Sequence, residues 1–291
     1  MDHSGLASVV PSRLIYCLVG LACLAPCACR QGPAEGRPCT AQRIVSLAPN
    51  ITEIIAALGQ AERLVAITGH CNWPQQIIDR PKVGTFWQPN LEAIIAARPD
   101  LVIGLQMPSH GLVADGLQRM GYRCLLVRLE RFEDLYDAID RIAEAIGCSQ
   151  QGRWLCGHLA RIQAGQLAVG GPRPRVLFVL QRQPLRVAGP ETFIDQAIYM
   201  AGGINAIGPS PFRYPPIGIE ELLASRPDLI IEPAAVVQPT RSADDPFWAR
   251  FSQIPAVARG RIYKINEDLI SRLGPRISDG IDQIAQCLHG L

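Results

Sequence analysis

Asn90-Leu91-Glu92-Ala93-Ile94-Ile95-Ala96-Ala97-Arg98-Pro99-Asp100-Leu101-Val102-Ile103 returns later in the chain as Gly218-Ile219-Glu220-Glu221-Leu222-Leu223-Ala224-Ser225-Arg226-Pro227-Asp228-Leu229-Ile230-Ile231. Glu92 and Glu220, Pro99 and Pro227, and Ile103 and Ile231 are each 128 residues apart. Each copy reads as a short helix that opens on a glutamate, stops at an Arg-Pro-Asp turn and runs into an apolar strand. Proline causes the stop, because it lacks an N–H and pushes the residue before it out of helical space. A solenoid needs at least three repeats at a period of roughly 20 to 50 residues. Two copies this far apart predict two similar lobes instead, each with one glutamate at the same place.

The flanking sequence supports two lobes. Upstream of the first copy, Arg43-Ile44-Val45-Ser46-Leu47 reads as a buried strand. A helix follows from Pro49 to Gly59, with Asn50 as candidate N-cap, and then a strand from Leu64 to Ile67. Arg175-Val176-Leu177-Phe178-Val179 restarts the pattern before the second copy. Strands alternating with helices predict parallel sheets covered on both faces. Between the lobes, Leu155, Leu159, Ile162 and Leu167 recur at helical spacing, and an unbroken helix over 149–169 would be about 30 Å long. The expected fold class is α/β: two Rossmann-like lobes with parallel-rich sheets, joined by a long helix and facing across a cleft. The expected divisions are a leader (1–29), a Gly/Pro-rich tether (30–42), an N-terminal lobe (43–148), a connecting helix (149–170) and a C-terminal lobe (171–291).

In a chain of 291 residues, 48% hydrophobic and 19% charged composition supports real cores. A net charge of +2, with no Lys/Arg run, gives no reason to expect a nucleic-acid partner. Leu14 to Ala25 is an uncharged apolar run of signal-peptide length, so export is expected. Cys23, Cys27 and Cys29 each stand where a lipid-anchored cysteine would, but none completes a good lipobox, so a periplasmic protein and an anchored lipoprotein both stay open. Cys39, Cys71, Cys124, Cys148, Cys156 and Cys287 remain; in an exported chain six cysteines allow up to three disulfides. No Cys-x-x-Cys and no Cys/His cluster at ligand spacing follows the leader, so no metal site is expected.

Catalytic motifs are absent: no Gly-x-Ser-x-Gly, Walker loop, dinucleotide-binding glycine triplet or His-Glu-x-x-His occurs. His70, His110 and His158 have no acidic or cysteine partner nearby in sequence and read as isolated residues. What stands out is an aromatic, proline-containing loop ahead of each repeated helix, with Phe86 and Trp87 in the first lobe and Phe212 and Tyr214 in the second. Ligands gather at the carboxyl ends of parallel strands and between domains. Facing loops of this kind predict a cleft for a large, flat, partly hydrophobic ligand. The competing reading is that the rings only close local cores.

The segments Arg43 to Pro49, His70-Cys71-Asn72-Trp73-Pro74, Asn90-Leu91-Glu92 through Val102, Tyr214-Pro215 through Glu220, and Asn266 through Arg276 resemble the periplasmic cobalamin-binding proteins. These belong to the helical-backbone class of ABC-transporter solute-binding proteins, which also carries siderophores and haem. The resemblance covers roughly residues 43 to 289. It implies a non-enzymatic, monomeric receptor that holds cobalamin or a related corrinoid as cargo, with no cofactor of its own, and delivers it to a permease dimer with its ATPase. By the same resemblance Phe86 and Tyr214 pack against the corrin and Glu92 and Glu220 dock on the permease; Trp87 and Phe212 are added as ligand-binding candidates from their closeness in sequence, and Trp73 as a further one. A ferric siderophore or haem is the nearest alternative cargo, and a secreted enzyme with an unrecognised cleft is the alternative from another class. One departure is Met200, which stands where the resemblance implies a cysteine able to bridge to the C-terminal helix, so Cys287 is expected to lack that partner.

Overall fold

The computed structural model describes residues 40–166 and 172–290. The expected leader, residues 30–39 of the tether, the four cysteines Cys23, Cys27, Cys29 and Cys39, and the end of the expected connecting helix lie outside the described residues. The first half builds β1 (Ile44–Ser46), α1 (Pro49–Ala57), β2 (Leu64–Ile67), α2 (Leu91–Ala96), β3 (Leu101–Leu105), α3 (Pro108–Arg119), β4 (Cys124–Val127) and α4 (Phe132–Ala145). Its strands form a four-stranded, all-parallel sheet in the order β2-β1-β3-β4. The long helix α5 (Ser149–Gln166) follows. The second half builds β5 (Arg175–Arg182), β6 (Leu185–Val187), α6 (Phe193–Met200), β7 (Ile204–Asn205), α7 (Ile219–Ser225), β8 (Leu229–Ala234), β9 (Thr240–Arg241), α8 (Pro246–Ala249), α9 (Pro255–Ala258), β10 (Ile262–Asn266), α10 (Glu267–Ile270) and α11 (Ile277–His289). Here a parallel centre, β5-β8-β10, is edged by antiparallel β6 and β9, and β7 pairs with β5.

The duplicated segment folds the same way twice. The residue before each proline is left-handed rather than extended, with φ of 48° at Arg98 and 40° at Arg226. Each aspartate then ties the turn to the first strand of its own lobe. Asp100 accepts the backbone N–H groups of Gln42 and Arg43 at 2.8 and 3.0 Å, and Asp228 accepts that of Arg175 at 3.0 Å. The same arginines cap the helix ends: Arg43 Nε donates to the Arg98 carbonyl at 2.8 Å, and Arg175 Nε to that of Ser225 at 3.1 Å. Carbonyls left free at a helix C-terminus thereby find donors.

Local expectations shift in three places. Asn50 does not cap α1. The helix starts at Pro49 with Ala48 before it, and the Asn50 side chain accepts the Ile51 N–H at 3.0 Å. β5 runs past Val179 to Arg182 and returns as β6, a hairpin arm that the polar run Gln181-Arg182-Gln183-Pro184 does not announce. Nor does any pair form among the described cysteines that the sequence allowed to pair: Cys71, Cys124, Cys148, Cys156 and Cys287 are all free thiols. Cys71 is held between the hydroxyls of Thr52 and Thr68 at 3.2 and 3.3 Å. Burial pushes the Cys124 thiol up to about 11 and those of Cys156 and Cys287 to about 12.

The two sheets are separate, but the core is not. One buried apolar cluster includes Ile44, Ile51 and Ile54 of the first half with Phe178, Ile194, Ile281 and Ile284 of the second. α5 packs on both α4 and α11. Polar ties add to this. Glu53, 1% exposed, pairs with Arg276 at 2.5 Å and Arg272 at 3.6 Å, and Asn72 donates to Asp268 at 2.8 Å. Gly274 packs closely there, since a Cβ would sit 3.0 Å from the Glu53 carboxylate. On the other side Arg213 pairs with Glu130, and Gln196 accepts the Phe132 N–H at 3.0 Å. Elements stitched by apolar packing and ion pairs at both ends have little freedom to swing apart.

Candidate ligand cleft

The strand ends of both sheets meet around a cleft of about 830 Å³. Pro49 and Asn50 follow β1, His70 follows β2, Leu105 ends β3 and Leu129 follows β4. Facing them are Leu180, Gln181 and Arg186 of the β5–β6 arm, Phe193 and Ile194 of α6, Tyr214, and Ser271 to Leu273. The volume falls in the range of about 300–1,000 Å³ typical of small-molecule sites.

A tight turn carries the first aromatic wall. Gly84 pairs with Pro89 in an antiparallel bridge, the Thr85 N–H donates to Gln88 O at 3.1 Å, and the Gln88 N–H donates back to the Thr85 hydroxyl at 3.0 Å. Gly84 has φ +91° and a Cβ there would lie 2.5 Å from Gln88 O, so only glycine fits. At the tip, Phe86 and Trp87 meet edge to face with ring centres 4.7 Å apart. Phe86 is half-buried against the core, whereas Trp87 is 65% exposed.

Two imidazoles hold the Phe86 backbone. His70 Nδ1 accepts its N–H at 3.2 Å, and His110 Nε2 lies 2.8 Å from its carbonyl. His110 is fully buried, and burial lowers its pKa. In the second lobe, the Tyr214 carbonyl accepts from Arg186 at 2.8 Å, and the Gly189 N–H donates to Arg213 O at 2.8 Å. Burial raises the Tyr214 phenol, keeping it protonated. The lining has no carboxylate; its charged groups are Arg186 and Arg272, joined by the His70 imidazole.

Of the aromatic candidates, Phe86, Trp87 and Tyr214 line the cleft. Phe212 is 64% exposed and falls outside the lining. Trp73 also falls outside it: its ring lies 4.9 Å under the Arg276 guanidinium, beside the tie between the lobes. Glu92 and Glu220 are exposed in the first turns of α2 and α7 and have no ion pair among the described residues. His70, Arg186 and Arg272 were not singled out from sequence. His70 and Arg272 lie in segments that carried the resemblance, but nothing marked Arg186, which sits on the unforeseen arm. Among the described residues no three His, Cys, Asp or Glu side chains converge to hold a metal, and no helix is long and apolar enough to cross a membrane.

Known proteins resemble this chain in sequence and fold. The vitamin B12-binding protein of Vibrio cholerae serotype O1 is 24% identical over 255 residues, 87% of this chain and 91% of that protein. YvrC of Bacillus subtilis, described as an uncharacterized ABC transporter substrate-binding lipoprotein, is 26% identical over 85% of this chain and 80% of its own length. The solved structure of the periplasmic heme-binding protein RhuT from Roseiflexus superposes with a TM-score of 0.73 at 25% identity, covering 85% of this chain and 99% of that one. A family model described as "Periplasmic binding protein" matches residues 44–269, a span that contains both sheets and every cleft residue except Ser271, Arg272 and Leu273. This chain belongs to the periplasmic binding protein family.

Proposed function

We propose that this protein is the solute-binding receptor of an ABC importer, exported to the periplasm or held as a lipoprotein outside the cytoplasm, and that its cleft carries cobalamin or a related corrinoid. One observation carries the choice of cargo: aromatic rings face the cleft from both lobes, yet neither side chain suited to ligate a metal there is free to do so. Haem iron is held by His, Cys, Met or Tyr side chains. In this cleft the candidates are His70 and Tyr214. His70 uses Nδ1 to accept the Phe86 N–H, so the neutral ring carries its proton on Nε2, and Tyr214 stays a phenol. Both are hydrogen-bond donors rather than metal ligands. A metallo-macrocycle that brings its own axial ligands suits these walls better than one that needs a ligand from the protein.

The polar lining fits the same cargo. Arg186 and His70 offer N–H groups to a lining that holds no carboxylate, which matches a ring periphery rich in carbonyl and phosphate oxygens, while Arg272 is tied to Glu53 and Asp268. The continuous core between the lobes supports capture with little closure. Glu92 and Glu220, unpaired on equivalent helices of the two lobes, are the docking points for a permease dimer, and the receptor works as a monomer. Titration calorimetry with cyanocobalamin, haem and a ferric siderophore panel tests the cargo. Saturable one-to-one binding of cyanocobalamin is expected; binding of haem or a siderophore without cobalamin would replace the corrinoid reading.

A further inference from the structure

We propose that His110 is a positioning residue for the cleft: the neutral ring, with its proton on Nε2, fixes Phe86 as the platform on which the ligand lies, and protonation of the ring releases that platform. The inference rests on the reading of Phe86 as a ligand contact. His110 itself is fully buried and outside the lining.

The tautomer follows from the partners. The Leu105 N–H donates to His110 Nδ1 at 2.9 Å, so Nδ1 bears the lone pair and Nε2 bears the proton, which points at the Phe86 carbonyl 2.8 Å away. The imidazole also meets the Phe86 ring edge to face, with centres 5.4 Å apart. One side chain thus links the end of β3 to both the backbone and the ring of Phe86. Gly104 leaves room for it, since a Cβ there would lie 3.3 Å from Nδ1.

An imidazolium cannot play this part. It carries N–H groups on both nitrogens, so Nδ1–H would oppose the Leu105 N–H, which would lose its acceptor in a dry site. Burial lowers the His110 pKa, in agreement with a site built for the neutral ring. The contacts around the ring come from Phe86, Leu105 and Gly104, none of them charged. Across the Phe86 peptide stands His70, the other titratable group of this loop. The charged groups of α3 beyond His110, Asp115 and Arg119, are exposed and lie a turn or more further along.

Cyanocobalamin affinity of purified variants tests the inference. His110→Ala is expected to weaken binding about tenfold or more, and to cost nothing further in a Phe86→Ala background, because the two act as one unit. His110→Gln restores affinity, since its amide accepts from Leu105 and donates to Phe86 without titrating. In a His70→Asn background, which removes the second imidazole, affinity should fall as pH drops below about 6.5, and adding His110→Gln should abolish that fall. Should the wild type bind no cyanocobalamin, the cargo reading fails while this one is still read without ligand: tryptophan emission responds to acid in His70→Asn, and the response disappears with either Trp87→Phe or His110→Gln. Additive losses in the double variant, a folded His110→Gln as defective as His110→Ala, or an acid response unchanged by His110→Gln would overturn it.

Discussion

Replacing Arg182 by Met isolates the group that holds the cleft arm in place. Arg182 closes β5 and joins two carboxylates through paired bonds, to Glu232 at 2.8 and 2.6 Å and to Asp245 at 3.1 and 2.7 Å. The carboxylates are 8% and 9% exposed, the guanidinium 33%. Removing one partner of a buried pair typically costs about 3–5 kcal/mol, because the other charge stays behind. The third of the guanidinium that meets water screens part of that, which places the expected loss near the lower end, about 3 kcal/mol. For a domain of this size that is a fall of roughly 6–12 °C in Tm. The Arg182 hydrogen bond holds the Asp245 carboxyl below the usual carboxylate range. A depressed pKa contributes stability that is present above the unfolded value and lost as pH falls through the folded one, so the gap between wild type and variant should be full at pH 7 and shrink below about pH 4. Urea unfolding followed by circular dichroism at both pH values measures it. Adding Glu232→Gln and Asp245→Asn should recover most of the loss at pH 7. A deficit under about 1 kcal/mol, one that ignores pH, or no recovery in the triple variant would refute the argument.

Two further predictions concern the surfaces. Phe86→Ala and Tyr214→Ala should each weaken cyanocobalamin binding at least about tenfold, as large contact residues do, whereas Phe212→Ala should change affinity less than about twofold and Trp73→Ala should lower thermal stability instead; calorimetry paired with melting curves separates these effects. Reversing Glu92 and Glu220 to Lys together should abolish uptake in reconstituted permease vesicles while leaving the dissociation constant unchanged, and normal uptake by that variant would remove them from the docking face.

Much of the fold was legible because it depends on local chemistry. Proline stops, glycine stops and apolar runs located α1, β2 and the paired glutamate helices closely. The β5–β6 arm was missed for a physical reason: its far end is polar, and Arg182 there is held by Glu232 and Asp245, 50 and 63 residues away. The same limit applied to the cysteines. Their number allowed disulfides, but pairing needs two thiols within a few ångströms, which only the fold decides, and the five described ones are free.

The site divides in the same way. Aromatic loops at matching positions in a duplicated chain already implied a cleft walled by rings, and Phe86, Trp87 and Tyr214 stand in it. Phe212 and Trp73 do not, since closeness in sequence or membership of a loop says nothing about which way a residue points. His110 reads in sequence as an isolated residue, 24 positions from Phe86; in the fold it is satisfied on both nitrogens. The repeat, with its Arg-Pro-Asp turns, was enough to establish two lobes and one glutamate helix on each. Whether those lobes move apart, which rings face the ligand and which imidazoles hold them depends on contacts between residues far apart in the chain, and such contacts exist only once the core shared by the two sheets has formed.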